Sequence, residues 1–90
     1  MSDSNFNLNL LHAFYTLYEE KNVTRAGKTL NITQSAMSNS LNQMREQFGD
    51  PLFVREKYGM KPTPRATKIA LKLQPILAQI DQVINVPDSF

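Results

Sequence analysis

The stretch from Thr24 to Pro51 leaves the chain little freedom, because it holds two helix starts and two helix stops with only three residues between one helix and the next. The Thr24 hydroxyl suits the unpaired first-turn amides of a short helix over Arg25 to Leu30. Asn31 tolerates the left-handed conformation of a tight exit, and Ile32 is expected to tuck into the core as the chain turns. Thr33 caps the next helix, expected over Gln34 to Phe48. Gly49, Asp50 and Pro51 stop it with a C-terminal glycine and a proline that cannot continue. Two such segments joined by three residues make a helix-turn-helix. Gly27, small and set four residues before Asn31, lets the two helices cross closely over a shared core residue.

The flanks complete the reading. Residues 1 to 6 are polar and patternless, whereas Leu10, Leu11, Phe14, Leu17 and Tyr18 fall at helical spacing and give a first helix from Asn7 to about Glu20 to Asn22. After Pro51 the period changes. Leu52 to Arg55 reads as a strand and Met60-Lys61-Pro62 as its return around Tyr58-Gly59, with Pro62 at an edge or end because it cannot donate to a ladder. Thr63-Pro64 opens a fourth helix running to about Ile84, closed by Val86-Pro87-Asp88. Pro75 inside that helix predicts a kink or break, since its ring clashes with the Leu71 carbonyl. The fold class is therefore mainly α: a winged helix-turn-helix with a small β-hairpin wing over residues 1–62 and a long C-terminal linker helix of the same domain over 63–90.

The fourth helix carries a broad apolar seam, Ala66, Ile69, Leu73, Ile76, Ile80 and Val83, widened by Ala70, Leu77 and Ile84. A 90-residue chain cannot easily cover it alone. A homodimer is expected through Ile69, Leu73, Ile76, Leu77, Ile80, Val83 and Ile84.

Composition narrows the function classes. At 41% hydrophobic and 20% charged residues the chain should bury a core, and with no cysteine it has neither disulfides nor thiolate metal sites. No apolar run approaches the ~18 residues of a membrane span, and Met-Ser-Asp-Ser-Asn lacks a signal peptide's layout, so a cytoplasmic protein is expected. His12 is the single histidine and has no second ligand at metal spacing. Without a nucleophile and its base, or a phosphate-binding glycine loop, the chain is not read as an enzyme; no metal and no cofactor are expected.

Charge points elsewhere. All ten Lys and Arg lie between Lys21 and Lys72, a window with only Glu46, Asp50 and Glu56 as acids and a net charge of +7. Such a window suits a polyanion, although a merely solvated face has the same composition. On a helical wheel Ala36, Met37, Leu41, Met44 and Phe48 form the inner sector of the third helix, and the opposite sector carries Ser35, Ser38, Asn39 and Asn42, with Gln34 near the start. These uncharged side chains both donate and accept, as base edges require. Arg25, Lys28 and Thr33 sit where one flanking phosphate backbone would lie, Arg55, Lys57 and Lys61 on the wing, and Arg65 and Lys68 at the start of the fourth helix. Glu46, twelve residues beyond Gln34, is expected to point away from a duplex.

The runs Leu10-Leu11-His12-Ala13-Phe14, Val23-Thr24-Arg25-Ala26-Gly27 with Leu30, Thr33-Gln34-Ser35-Ala36-Met37-Ser38 and Gly49-Asp50-Pro51-Leu52-Phe53-Val54-Arg55 closely resemble, in order and spacing, the N-terminal DNA-binding domain of LysR-type transcriptional regulators. The resemblance covers about residues 7 to 85. It implies double-stranded DNA as the partner, a dimer joined by the linker helix, and recognition helices in successive major grooves reading an interrupted palindrome. Gln34, Ser35, Ser38 and Asn39 become base readers, while Thr33 and Arg55 become backbone or minor-groove contacts. Ser35 and Asn39 stand where many members carry proline and arginine, so no base preference transfers. A small-molecule effector would act only through a further domain absent from this chain. A winged-helix module that holds a protein partner through the fourth helix is the alternative.

Overall fold

Leu10, Ala13, Phe14 and Leu17 recur at three and four residues along α1 (Leu8–Glu20) and bury one stripe of it, in a computed structural model that describes residues 8–85. The helix ends when Lys21 turns left-handed at φ 54°, its amide still donating to Leu17 O at 2.7 Å. That turn leaves Asn22 extended, and its Oδ1 accepts from Arg25 N at 2.8 Å. Asn22, rather than Thr24, therefore caps α2 (Val23–Leu30), which begins two residues earlier than expected. Asparagine is the stronger N-cap, and only Asn22 has the non-helical backbone a cap needs.

Asn31 closes α2 in the expected left-handed conformation, φ 61° and ψ 43°. Ile32 does not enter the core; it stays 39% exposed because its amide donates to Gly27 O at 2.8 Å and holds the main chain of the turn down on α2, with the side chain outward. Gly27 serves this contact and not a shared core residue: a Cβ there would meet Ile32 O at 3.1 Å and Thr33 O at 3.4 Å. Thr33 Oγ1 accepts from Ala36 N at 3.0 Å and starts α3 (Gln34–Phe48), which Gly49 ends at φ 61°. Met37, Leu41 and Met44 are buried, with Ala36 and Phe48 half-buried, as the wheel predicts.

The wing starts one residue late. Leu52 sits before the strand at φ 63°, its amide donating to Asp50 Oδ2 at 2.8 Å and its carbonyl accepting from Thr63 N at 2.8 Å. β1 (Phe53–Glu56) and β2 (Gly59–Pro62) pair antiparallel around Lys57-Tyr58, from Phe53 opposite Pro62 to Glu56 opposite Gly59, so Pro62 falls at the ladder's end as its missing donor requires. Phe53 reaches back into the core, its ring 5.5 Å from that of Phe14.

α4 (Pro64–Ile84) is capped by Thr63, whose Oγ1 accepts from Ala66 N at 3.1 Å. It runs through Pro75 without the break expected there; Leu71, whose carbonyl loses its helical donor, is 66% exposed and faces water that can replace it. The seam divides. Ala66, Ala70, Leu73 and Leu77 are buried in the chain's own core, where α4 lies along α1. Leu73 and Leu77, expected at a dimer contact, are thus already covered. Ile69 and Ile80 are half-buried, while Leu71, Ile76, Val83 and Ile84 face solvent. The expected closure at Val86-Pro87-Asp88 lies outside the described residues.

Candidate nucleic-acid interface

With its apolar side committed to α1 and α2, α3 has one open face, and on it Gln34, Ser35, Asn39 and Asn42 are exposed and Ser38 half-buried. No charge interrupts these five positions. Thr33 uses its hydroxyl on the helix's own first turn, so its contribution to an anion is the positive helix end it organises.

The wing delivers cations to one flank. Val54, Arg55, Glu56, Lys57, Tyr58 and Lys61 are all exposed, Tyr58 at 88%, and the Lys57 ammonium lies 5.5 Å from the Tyr58 ring centre. One anchor of the hairpin's tip is a backbone bond, in which Met60 N donates to Lys21 O at 2.8 Å and brings β2 against the α1–α2 junction. This docking creates a polar cleft of about 80 Å³ lined by Thr24, Gln34 and Arg55 together with Asn22, Val23, Gly59 and Met60. The start of α3, the first turn of α2 and the wing arginine therefore converge on one place. Arg65 and Lys68 are exposed in the first turns of α4.

Not every basic residue is available. Arg25 makes an ion pair with Glu20 at 3.7 Å and donates to its carbonyl at 3.2 Å, while Lys28 is exposed on the same helix. Lys21 donates to Tyr18 O at 2.7 Å. Arg45 is turned inward on three acceptors of its own chain: Nε donates to Pro51 O at 2.8 Å, Nη2 to Phe53 O at 2.8 Å and Nη1 to Asn42 Oδ1 at 3.3 Å. Sequence reasoning counted it only as charge, because the carbonyls it bonds come from the segment after α3. It also missed Asp50, whose Oδ2 accepts from both Leu52 N and Thr63 Oγ1 at 2.8 Å and so ties the end of α3 to the start of α4. The signal for that tie was present in part, since an aspartate two residues before a turn amide is a known turn former.

Away from this surface His12 is exposed at the rim of a cleft between α1 and α4, and among the described residues no group of three or more His, Cys, Asp or Glu could hold a metal ion. Burial, with the Glu19 carboxylate adding to it, pushes the Tyr15 phenol above its ordinary range. No described helix is long and apolar enough to cross a membrane.

Known proteins share this arrangement. The sequence pattern of the family described as "Bacterial regulatory helix-turn-helix protein, lysR family" matches residues 8–67. The uncharacterized HTH-type transcriptional regulator YbdO of Escherichia coli is 40% identical over 81 residues, 90% of this chain and 27% of that protein. The HTH-type transcriptional regulator YidZ of Citrobacter koseri is 37% identical over 86 residues, 96% of this chain and 27% of the relative. The chain thus spans about a quarter of the length of these relatives. Among solved structures, probable transcriptional regulator PA0477 of Pseudomonas aeruginosa superposes with a TM-score of 0.85 at 35% identity, covering 88% of this chain and 26% of that one. BenM_DBD, solved as a complex with catB site 1 DNA, gives 0.81 at 26% identity over 88% of this chain and 89% of that one. With the four helices, the hairpin wing and this continuous match in place, the chain belongs to the lysR family of bacterial regulatory helix-turn-helix proteins.

Proposed function

We propose that this chain is the DNA-binding domain of a cytoplasmic LysR-type transcriptional regulator and that it binds double-stranded DNA with sequence preference. The observation that carries the reading is the uncharged face of α3, Gln34, Ser35, Ser38 and Asn39, set beside a cleft that gathers Gln34, Thr24 and Arg55. A helix of this size fits a major groove, and neutral donors and acceptors discriminate base edges that a row of lysines would not. Arg55, Lys57 and Lys61 on the wing and Lys28 and Arg65 on the flanking helices supply backbone or minor-groove contacts; Arg25 joins them by exchanging Glu20 for a phosphate. That BenM_DBD was solved on two DNA sites and DarR of Vibrio fischeri in complex with DNA supports this reading.

Two copies joined along α4 would present two recognition helices to an interrupted palindrome. Ile76, Val83 and Ile84, with half-buried Ile69 and Ile80, provide the contact. A small-molecule effector would act through a domain outside this chain. The same exposed stripe is what a protein-interaction module would use, and one experiment separates the two. Selection of bound duplexes from a random pool, followed by titration at several salt concentrations, should yield a two-part motif and an affinity that falls steeply with salt. Failure to enrich any sequence, with association between copies intact, would favour the protein-interaction reading.

A further inference from the structure

Among the described residues Lys21, Asn31 and Leu52 take a left-handed backbone without being glycine, and of these only Leu52 is buried. A leucine keeps that conformation only where its surroundings hold it. Both of its backbone groups are held: the amide donates to Asp50 Oδ2 and the carbonyl accepts from Thr63 N, each at 2.8 Å. Thr63 completes the ring of bonds. Its hydroxyl donates to the same Asp50 oxygen at 2.8 Å while accepting from Ala66 N at 3.1 Å. Two half-buried side chains thirteen residues apart thus join the end of α3 to the start of α4.

Elsewhere α3 and α4 are related chiefly through α1, against which both are packed. Apolar packing is non-directional and tolerates a range of crossing angles, whereas a hydrogen bond accepts a narrow range of distance and direction. The tie at Thr63 is therefore the directional constraint on how α4 leaves the recognition helix. Its leverage is large. Ile76, Val83 and Ile84, the apolar residues that α4 leaves exposed, lie twelve to twenty residues beyond Pro64. That is about 18–30 Å along the axis, so a swing of about 10° at Thr63 carries them through about 3–5 Å, the scale of one base-pair step of ~3.4 Å.

We propose that Asp50 and Thr63 are positioning residues that set the distance between the two recognition helices of a dimer, and with it the spacer length accepted between half-sites. The inference rests on the DNA-binding and dimer reading above. Neither side chain needs to touch DNA, since both act through the direction of α4. The bases of each half-site are read on α3, so sequence preference and spacer preference should be separable by substitution.

Thr63→Asp is the informative change. A carboxylate still caps α4 by accepting from Ala66 N, but it has no proton for Asp50 and is repelled by it. Adding Asp50→Asn supplies an amide donor and should restore the tie. The whole 90-residue chain is titrated with the duplex selected from a random pool and with the same half-sites set one or two base pairs closer or farther apart. The unaltered protein should favour one spacer. In Thr63→Asp that preference should shrink about five- to tenfold, the worth of one hydrogen bond, with the half-site bases unchanged, and the double variant should regain it. Asp50→Ala breaks the tie from the other side and leaves Thr63 as the cap, so either single variant decides the matter if the other does not fold. The two changes shift net charge in opposite directions, and charge acts alike on every spacer, so a shared loss of spacer preference is not electrostatic. An unchanged spacer profile in a folded single variant, or a double variant no better than Thr63→Asp, would overturn the proposal. An unaltered chain that enriches no duplex, or binds single half-sites with no spacer preference, removes the DNA-binding or the dimer reading and this assignment with it.

Discussion

Replacing Gly59 with alanine should loosen the wing from the body of the domain. Gly59 has φ 145°, a backbone region that side-chain-bearing residues rarely adopt, and a Cβ added there would collide with the Lys21 carbonyl oxygen. That oxygen is also the acceptor for Met60 N at 2.8 Å, so relief of the collision draws apart the pair that anchors β2. Strained backbone of this kind costs ~1–3 kcal/mol, and a lost hydrogen bond adds ~1 kcal/mol, for a total of about 2–4 kcal/mol. For a domain of this size each kcal/mol moves the midpoint by ~4–8 °C, so thermal unfolding followed by circular dichroism should show Tm falling by about 8–32 °C.

Gly49→Ala provides the control, because it separates conformation from collision. Gly49 also has a positive φ, 61°, but a Cβ there would meet nothing within 4 Å. Its cost is confined to the left-handed backbone, ~1 kcal/mol. If the two variants melt together, or if Gly59→Ala stays within about 2 °C of the unaltered protein, the carbonyl of Lys21 is not what holds the wing and the anchoring argument fails.

Other consequences are simpler to state. Arg55→Ala should lower duplex affinity about tenfold and reduce the slope of log affinity against log salt by about one, as measured by fluorescence anisotropy at three salt concentrations. Met37 is fully buried on the inner face of α3, so Met37→Ala should cost ~2–5 kcal/mol in urea denaturation. Ile76→Asp and Val83→Asp, both on the exposed side of α4, should reduce self-association in sedimentation while leaving stability nearly unchanged. Leu73→Asp should do the reverse, because Leu73 is 4% exposed and a carboxylate there would be buried unpaired.

How far the fold could be read from sequence depended on the range of the interactions that decide each feature. Thr33, Asn31, Gly49 and Thr63 were legible because a cap acts on amides or carbonyls within one turn of itself. The inner face of α3 was legible too, since Met37, Leu41 and Met44 follow helical period. Asn22 was misread as the tail of α1 because only the left-handed turn at Lys21 separates the two helices, and lysine carries no mark of that conformation. The division of the α4 seam was out of reach for a different reason. Periodicity says that Leu73 and Ile76 are both apolar, but α1 lies against only one of them, and which one depends on where the wing sets α4 down.

The polar face shows the same limit at the functional site. Gln34, Ser35, Ser38, Asn39 and Asn42 share a sector of α3, and sequence treats them as equivalent. What distinguishes Asn42 is an arginine three residues on, whose direction is set by two carbonyls, Pro51 O and Phe53 O, that arrive only when the wing folds back. A helical wheel holds no information about those carbonyls. The surroundings of the Asn42 amide therefore depend partly on the attachment of the hairpin, so on the proposed DNA-binding reading a change at the wing's base should alter duplex affinity in a titration even where no side chain there touches DNA.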